Sequence, residues 1–500
     1  MKGLAAELQK MGVKNVIAAP AAGIGPLRPA PAHPIQSLRD SEEICLRGGI
    51  GDRGSGIEAV ASFKEQDGIR VWRFSCSKRP GDLGEIYGEG DPLASESFKK
   101  VLDEEKPDIV HFHAWSPAVS ILLVREVKRR GIRMVQTYHT PTLSCPRGTL
   151  MRWGRTVCDG DLARRPCALC AIHGKLRKGY RISDMGYGKS EAGYRISGAG
   201  KSSNESSKNP ESQIRNPKES KLSALTSKLI TMLRMPGLIR KRTEVVRELF
   251  RTADKIVALN QWTKELLRVN GVKEGKIEVI RHGIPETRAR MPDSGGEEPP
   301  KFKIRNSEGA LKLVFLGRVA PEKGIDVLLR AIEIVKIPVE LDVYGIGSKD
   351  MEYGISDTGY WGAGGVRREA GGSKKPELRS TKSRILWLEP VQPEQVVETI
   401  RKYDALVVPS VWLETGPLVV LEAFAAGVPV IGSRLGGIAE MVRDGVDGLL
   451  FEAGSPEDLA DKIQGFHRRM KNIKAGVPRV KNTREVGYEH LKLYQQLLSK

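Results

Sequence analysis

The chain is poor in cysteine, in aromatic residues and in long apolar runs. Six cysteines in 500 residues are too few for the disulfide framework of a small secreted domain. No apolar stretch approaches the ~18 residues that span a bilayer, and no signal peptide precedes the first helical pattern. The expectation is a cytoplasmic chain. Acidic residues are also short, with 61 Asp and Glu against 81 Lys and Arg, a formal charge of +20. Such a balance fits nucleic acid, anionic lipid or acidic substrates. Aromatics make up 6% and are not interleaved with the basic residues, and no nucleic-acid module is present, so nucleic acid is not an expected partner. Two readings of the charge stay open: peripheral contact with the inner face of a membrane, or an excess carried by inserted loops. The length gives two or three domains with full cores.

What is present is a strand and helix alternation that predicts α/β architecture with parallel doubly wound sheets. Residues 2–11 read as an amphipathic helix and Asn15 to Ala19 as a strand. From 21 to 68 the chain reads as loop with one short helix at 56–63. Strands are expected at Ile69 to Phe74, Asp108 to Phe112 and Arg133 to Tyr138, with helices at 94–105 and 117–130. Residues 221–251 read as one or two basic helices around a break at Pro236, and 252–267 as strand, Asn260 and helix. His111, His113 and His139 all fall at or just after strand carboxyl ends, where open α/β sheets bind ligands. A histidine on a strand is otherwise a satisfied core residue.

The most informative stretch is VVPSVWLETGPLVVLEAFAAGVPVI, residues 407–431. It reads as a buried strand, a polar elbow, and an apolar helix opened by Pro417 and ended by Gly427. Glu414 stands in the elbow and Glu422 in the helix, with seven residues between them. The helix start offers free N–H groups that favour phosphate. Pro417 has no N–H, so Gly416, Leu418 and Val419 are the candidate donors. Upstream, the strand Lys312 to Leu316 ends in Gly317-Arg318, and Lys323-Gly324 starts a helix. Arg318 forks onto phosphate oxygens and Lys323 adds a point charge.

The 407–431 segment resembles the E-x7-E motif of retaining glycosyltransferases of the GT-B fold, family four. FLGRVAPEKGIDVLLRA (315–331) is similar to that family's diphosphate loop, and LGGIAEMVRDGVDGLLFEAGSPEDLADKI (435–463) to its closing strand and helix. The resemblance implies two Rossmann-like domains facing a cleft: residues 1–285 on the acceptor side, 286–480 binding a nucleotide-sugar donor, and a helix at 481–500 crossing back. It implies that Arg318 and Lys323 neutralise the donor diphosphate, that Glu422 binds ribose and Glu414 the donor sugar. Glu389 and Val391 would meet the base, and His139, with His113 near it, would line the active site. The implied reaction transfers a sugar with retention onto a glycan or lipid-linked acceptor in envelope or polysaccharide synthesis. Catalysis would need no metal.

Two features depart from that pattern, and a third, a cysteine-bearing loop, resembles one found in a branch of the family. The family begins with a strand and a glycine-rich turn; here the first pattern is already a helix. A misplaced start, a fragment, or a lost part of the site would each account for this. The last alternative gives a GT-B protein that binds nucleotide without transferring sugar. Residues 179–220 and 349–382 are low in apolar periodicity and share a repeated word, GYRIS-type at 179 and 193 and YGISDTGY at 353; they read as insertions. Finally, Cys145, Cys158, Cys167 and Cys170 follow a C-x12-C-x8-C-x2-C spacing. They can supply four thiolates to one structural zinc, with free buried thiols as the alternative. Two weaker readings are a sugar-nucleotide epimerase, and a hydrolase using Glu414 and Glu422 as an acid/base pair.

Overall fold

The computed structural model describes residues 2–22, 45–47, 60–77, 86–153, 156–162, 166–176, 217–286, 309–346 and 383–499. The repeated words at 179, 193 and 353 lie outside these residues.

The first half opens with α1 (Lys2–Lys10) and β1 (Val16–Ala22), then β2 (Cys45–Arg47), β3 (Val60–Gln66) and β4 (Ile69–Cys76). These strands form one sheet in the order β1-β4-β3-β2. β1 runs parallel to β4, whereas β3 and β4 are an antiparallel hairpin. The helix expected at 56–63 is therefore corrected: from Val60 onward the chain is strand. The turn explains it. Asp67 and Gly68 both take positive φ, 55° and 72°, the backbone that a two-residue Asp-Gly loop supplies to a hairpin.

A second sheet follows. Its elements are α2 (Pro92–Glu105), β5 (Ile109–Phe112), α3 (Ile121–Arg129), β6 (Arg133–Thr137), the short hairpin β7 (Met151–Arg152) and β8 (Thr156–Val157), and α4 (Pro166–Leu176). Then come α5 (Pro217–Thr252), β9 (Lys255–Ala258), α6 (Gln261–Val269) and β10 (Ile277–Val279). The four main strands are all parallel, in the order β10-β9-β6-β5. The two sheets share one core, in which Trp72 and Phe74 join Phe112, Met134 and Ile256. Among the described residues the edges are β1 and β2 in one sheet and β10 and β5 in the other. The break expected at Pro236 is absent, and α5 runs through it. Met235, Leu238 and Ile239 are buried against Tyr87 and Ala171, so packing holds the helix across the missing hydrogen bond.

The second half carries β11 (Leu311–Arg318), α7 (Ile325–Ile334), β12 (Val339–Ile346), β13 (Ser383–Leu388), α8 (Val396–Ile400) and β14 (Ala405–Val408). It continues with α9 (Leu418–Ala425), β15 (Val430–Ser433), α10 (Gly436–Met441), β16 (Gly448–Phe451), α11 (Pro456–Ala475) and α12 (Thr483–Leu498). One six-stranded parallel sheet results, ordered β13-β12-β11-β14-β15-β16. β14, β15 and β16 are buried at every residue, as expected for strands covered on both faces. The chain runs outward from β11 in one direction and from β14 in the other. Their adjacent carboxyl ends are thus the switch point where such sheets form a ligand crevice.

α12 starts at an Asn482 capping box with Glu485. It leaves the second half and lays Val486, Leu493 and Leu497 against Val135, Val257 and Ile280 of the first. No helix among the described residues is long and apolar enough to cross a membrane.

Candidate functional site

Two loops meet at the switch point. The first leaves β11 through Gly317 and Arg318 and turns in a short 3-10 helix, Pro321–Lys323. Gly324 closes that turn at φ 67°, and a Cβ there would stand 1.9 Å from the Pro409 carbonyl oxygen. Only glycine meets both demands. The second loop is the elbow after β14. Val411 N–H donates to Glu322 O at 3.0 Å, and Gly437 N–H donates to Glu414 O at 2.7 Å, so the two loops and the start of α10 interlock.

The Glu414 carboxylate is the centre of this arrangement, and the residue is buried. Three donors converge on its Oε1: Lys323 Nζ at 2.5 Å, Ser410 Oγ at 2.8 Å and Trp412 Nε1 at 3.0 Å. The Lys323 ammonium also lies 5.5 Å from the centre of the Trp412 ring, within cation–π range. Ser410 and Trp412 were not singled out in the sequence, although both flank Glu414 in the elbow.

The other expected donor-side residues are spread around the same crevice. Arg318 is about half exposed and pairs with Glu322 at 3.3 Å, not with the elbow. Glu422 is buried in α9. Helix α9 begins at Leu418, one residue later than expected; Pro417 is its N-cap and no side chain caps its start. Leu418 is exposed and Val419 half-buried, leaving the helix start open to the crevice. Glu389 is exposed and Val391 half-buried, just past β13. The helix expected at 393–402 is a 3-10 turn, Pro393–Gln395, followed by the short α8.

Across from the elbow the first half contributes imidazoles. His113 Nδ1 lies 2.9 Å from His139 Nε2, and the His139 ring stacks on His282 at 5.4 Å and 12°. His111 stacks on His113 at 4.0 Å; it bonds to Tyr494 OH at 2.6 Å and Thr137 Oγ1 at 2.7 Å. His490 lies 5.6 Å from His111. Burial is the main cause that takes His139 down to about 3 and His282 down to about 4. Burial likewise holds His111 and His113 well below the usual histidine range. All are therefore neutral at physiological pH and act as hydrogen-bonding groups. His282, in the HGIPE linker, and His490 and Tyr494, in the returning α12, were not expected at the site; the fold brings them to the cluster.

The two sides touch directly. Thr415 Oγ1 donates to His139 O, and Asn260 Nδ2 donates to Thr415 O. Gly416 faces the His282 ring, where a Cβ would lie 3.4 Å from Cδ2.

The four cysteines gather elsewhere, around the β7–β8 hairpin and the first turn of α4. Cys170 Sγ accepts from Trp153 N–H at 3.3 Å and Arg147 Nη1 at 3.6 Å, and Cys158 Sγ from Gly160 N–H at 3.5 Å. Burial, reinforced by the neighbouring thiols, pushes Cys167 up to about 11. Among the described residues no three His, Cys, Asp or Glu side chains converge as metal ligands. The four thiols are free and neighbour one another, with Cys145, Cys158 and Cys170 all near enough to act on Cys167.

Known proteins place this geometry. The family model described as glycosyl transferases group 1 matches residues 297–469, and a glycosyl transferase 4-like domain matches residues 1–185. A D-inositol 3-phosphate glycosyltransferase from Rhodococcus jostii is 30% identical over 248 residues, 48% of this chain and 50% of that protein. One of the same name from Geodermatophilus obscurus is 33% identical over 190 residues, 37% of this chain and 39% of that protein. The chain thus spans half or less of the length of these relatives. The catalytic domain of starch synthase IV from Arabidopsis thaliana, solved with ADP and acarbose, shares the fold. Its TM-score is 0.54 at 12% identity, over 100% of this chain and 95% of that one. With a glycosyl transferase 4-like domain in its first half and a glycosyl transferases group 1 domain in its second, the chain is a family four glycosyltransferase of the GT-B fold.

Proposed function

We propose that this protein is a retaining glycosyltransferase that moves a sugar from a nucleotide-sugar donor to a glycan or lipid-linked acceptor. The observation that carries the reading is Glu414: a buried carboxylate held by Lys323, Ser410 and Trp412, in an elbow bonded to the His139 backbone. The donor diphosphate lies over the switch point. Arg318, Lys323 and the N–H groups of Gly416, Leu418 and Val419 meet its oxygens, Glu422 holds the ribose, and Glu389 and Val391 flank the base. Glu414 and the neutral His139 imidazole orient the sugar hydroxyls. As the sugar–phosphate bond breaks, negative charge grows on the diphosphate, and the fixed cations stabilise it most in the transition state. The acceptor oxygen bonds to the anomeric carbon on the face the diphosphate leaves, and its proton passes to a diphosphate oxygen. No protein nucleophile and no metal are required. The excess of basic residues suits a role at the inner membrane face in polysaccharide or envelope synthesis.

One observation favours a second reading, a GT-B protein that binds nucleotide without transfer. Among the described residues the main strands of the first half form two separate four-stranded sheets, whereas those of the second half form one continuous six-stranded sheet.

Calorimetric titration of UDP, GDP and ADP, beside Glu422→Ala, tests both. Tight binding of one nucleotide, weakened by roughly 1.5–3 kcal/mol in the variant, together with turnover of the matching nucleotide sugar supports the transferase. Binding without turnover selects the second reading, and no binding at all overturns both.

A further inference from the structure

The start of α6 is a socket filled from the other half of the molecule. An α-helix leaves its first N–H groups without partners inside the helix. In α6 the cap residue Asn260 takes one of them, Thr263 N–H, at 3.0 Å. The two before it are taken by a residue 178 positions or more away: Gln261 N–H donates to Glu440 Oε2 at 2.9 Å and Trp262 N–H to Glu440 Oε1 at 2.5 Å. A carboxylate on two N–H groups at the positive end of a helix is a charge-assisted contact. It joins α10 of the second half to α6 of the first.

We propose that Glu440 is a positioning residue, a clasp that closes the cleft and sets Glu414 against His139. The connection is short at every step. Glu440 lies in α10, whose Gly437 N–H donates to Glu414 O at 2.7 Å. The socket's own Asn260 side chain donates to Thr415 O, and Thr415 Oγ1 donates to His139 O. Glu414 is thus pinned between the clasp on one side and the β6 strand end on the other. Releasing Glu440 frees both α6 N–H groups and leaves two single hydrogen bonds through Thr415 as the remaining polar links at this point. The donor diphosphate contacts proposed above all sit on the second half, so the clasp governs transfer and not nucleotide affinity. This inference rests on the transferase reading for its kinetic readout, but not for its conformational one.

The test uses the full chain with Glu440→Ala and Glu440→Gln. Glu440→Gln keeps the size and one acceptor oxygen while losing the charge. The expected result is a fall in kcat of tenfold or more for Glu440→Ala and a smaller fall for Glu440→Gln, with the nucleotide Kd unchanged within twofold. Trp262 reports the clasp independently. Its ring packs against the core of the first half and its backbone is one of the two clasped groups; with seven tryptophans in the chain, its emission is read as the part that Trp262→Phe removes, and that part shifts to the red when the cleft opens. Unchanged kcat and unchanged emission in Glu440→Ala overturn the proposal. So does a parallel loss of nucleotide affinity and melting temperature, which marks a merely structural contact. If the wild type binds nucleotide and transfers nothing, the transferase reading falls. The emission shift then decides the clasp alone.

Discussion

Lys323 Nζ stands 2.5 Å from Glu414 Oε1, so the cation of the β11 loop and the acid of the β14 elbow are each other's counter-ion. The pair spans the switch point of the sheet. It holds two groups of opposite charge where a sugar diphosphate brings both an anion for the lysine and hydroxyls for the carboxylate. The lysine side chain is 22% exposed and the carboxylate 10%, so each needs its partner when the crevice is closed.

A double-mutant cycle measures that coupling. Lys323→Ala removes the diphosphate charge and leaves Glu414 without its cation. The expected loss in kcat/KM is roughly 3 kcal/mol. Glu414→Gln keeps the shape and two of the three donors and loses roughly 2 kcal/mol. Because the residues act as a unit, the double variant falls short of the sum by about 1 kcal/mol or more. Strict additivity would show that the two residues act independently in transfer and that the ion pair itself contributes nothing to it.

Trp412 is a second support for the same carboxylate. Its indole N–H takes one lone pair of Glu414 Oε1 and its ring lies under Lys323. Trp412→Phe keeps the ring and deletes the donor. A drop in kcat of about tenfold, equal to ~1.4 kcal/mol, is expected, with nucleotide affinity unchanged by calorimetry. Equal loss in both would place Trp412 on the nucleotide instead of the sugar.

The second half was legible in the sequence because its strands are short apolar runs buried on both faces, and because its turns carry glycine and proline at demanding positions. Ala405 to Val408 is such a run, followed by Pro409 and the elbow. The first half was less legible. Val60–Gln66 carries Lys64, Glu65 and Gln66 on an exposed end, which masks its alternation, and its Asp67-Gly68 turn was the overlooked signal. Pro236 was read as a break because local backbone rules favour one, yet buried Met235 and Ile239 outweigh them. The histidine cluster was half visible. His111, His113 and His139 stand at strand ends, a local property. His282 and His490 arrive from the linker and the last helix, and the His111–Tyr494 bond spans 383 positions, a distance no periodicity can reveal. Glu440 was hidden for the same reason: only the folded chain shows that it caps a helix of the other half.

Gly324→Ala tests the interlock of the two loops. The residue takes φ 67°, and an added Cβ would stand 1.9 Å from the Pro409 carbonyl oxygen. Neither backbone atom can rotate away. A stability loss of about 3 kcal/mol is expected, read as a lower midpoint in urea unfolding with an unchanged slope. A loss under about 0.5 kcal/mol would mean that the β11 loop moves freely past the elbow, and the crevice geometry described above would fall with it.

The imidazole cluster makes stability sensitive to acid. Burial lowers His139 to about 3 and His282 to about 4, and lowers His111, His113 and His490 as well. Glu489 acts in the opposite sense on His490, favouring its proton. For groups lowered in the folded state, the sign is set by which state binds protons first. Above pH ~6.5 both states are neutral and the full stability is present. As pH falls from there toward 3, the unfolded chain takes up protons that the folded cluster refuses, and stability is lost. His139 alone contributes a slope of roughly 1 kcal/mol per pH unit in this window. Calorimetric Tm values should therefore fall steadily from pH 7 to 4.5. His282→Asn, which removes one titrating ring and keeps a hydrogen-bonding side chain over His139, should flatten that fall. A Tm that holds constant across the window in the wild type would show that the rings are reached by solvent and charge without cost. His139 would then titrate in the ordinary histidine range.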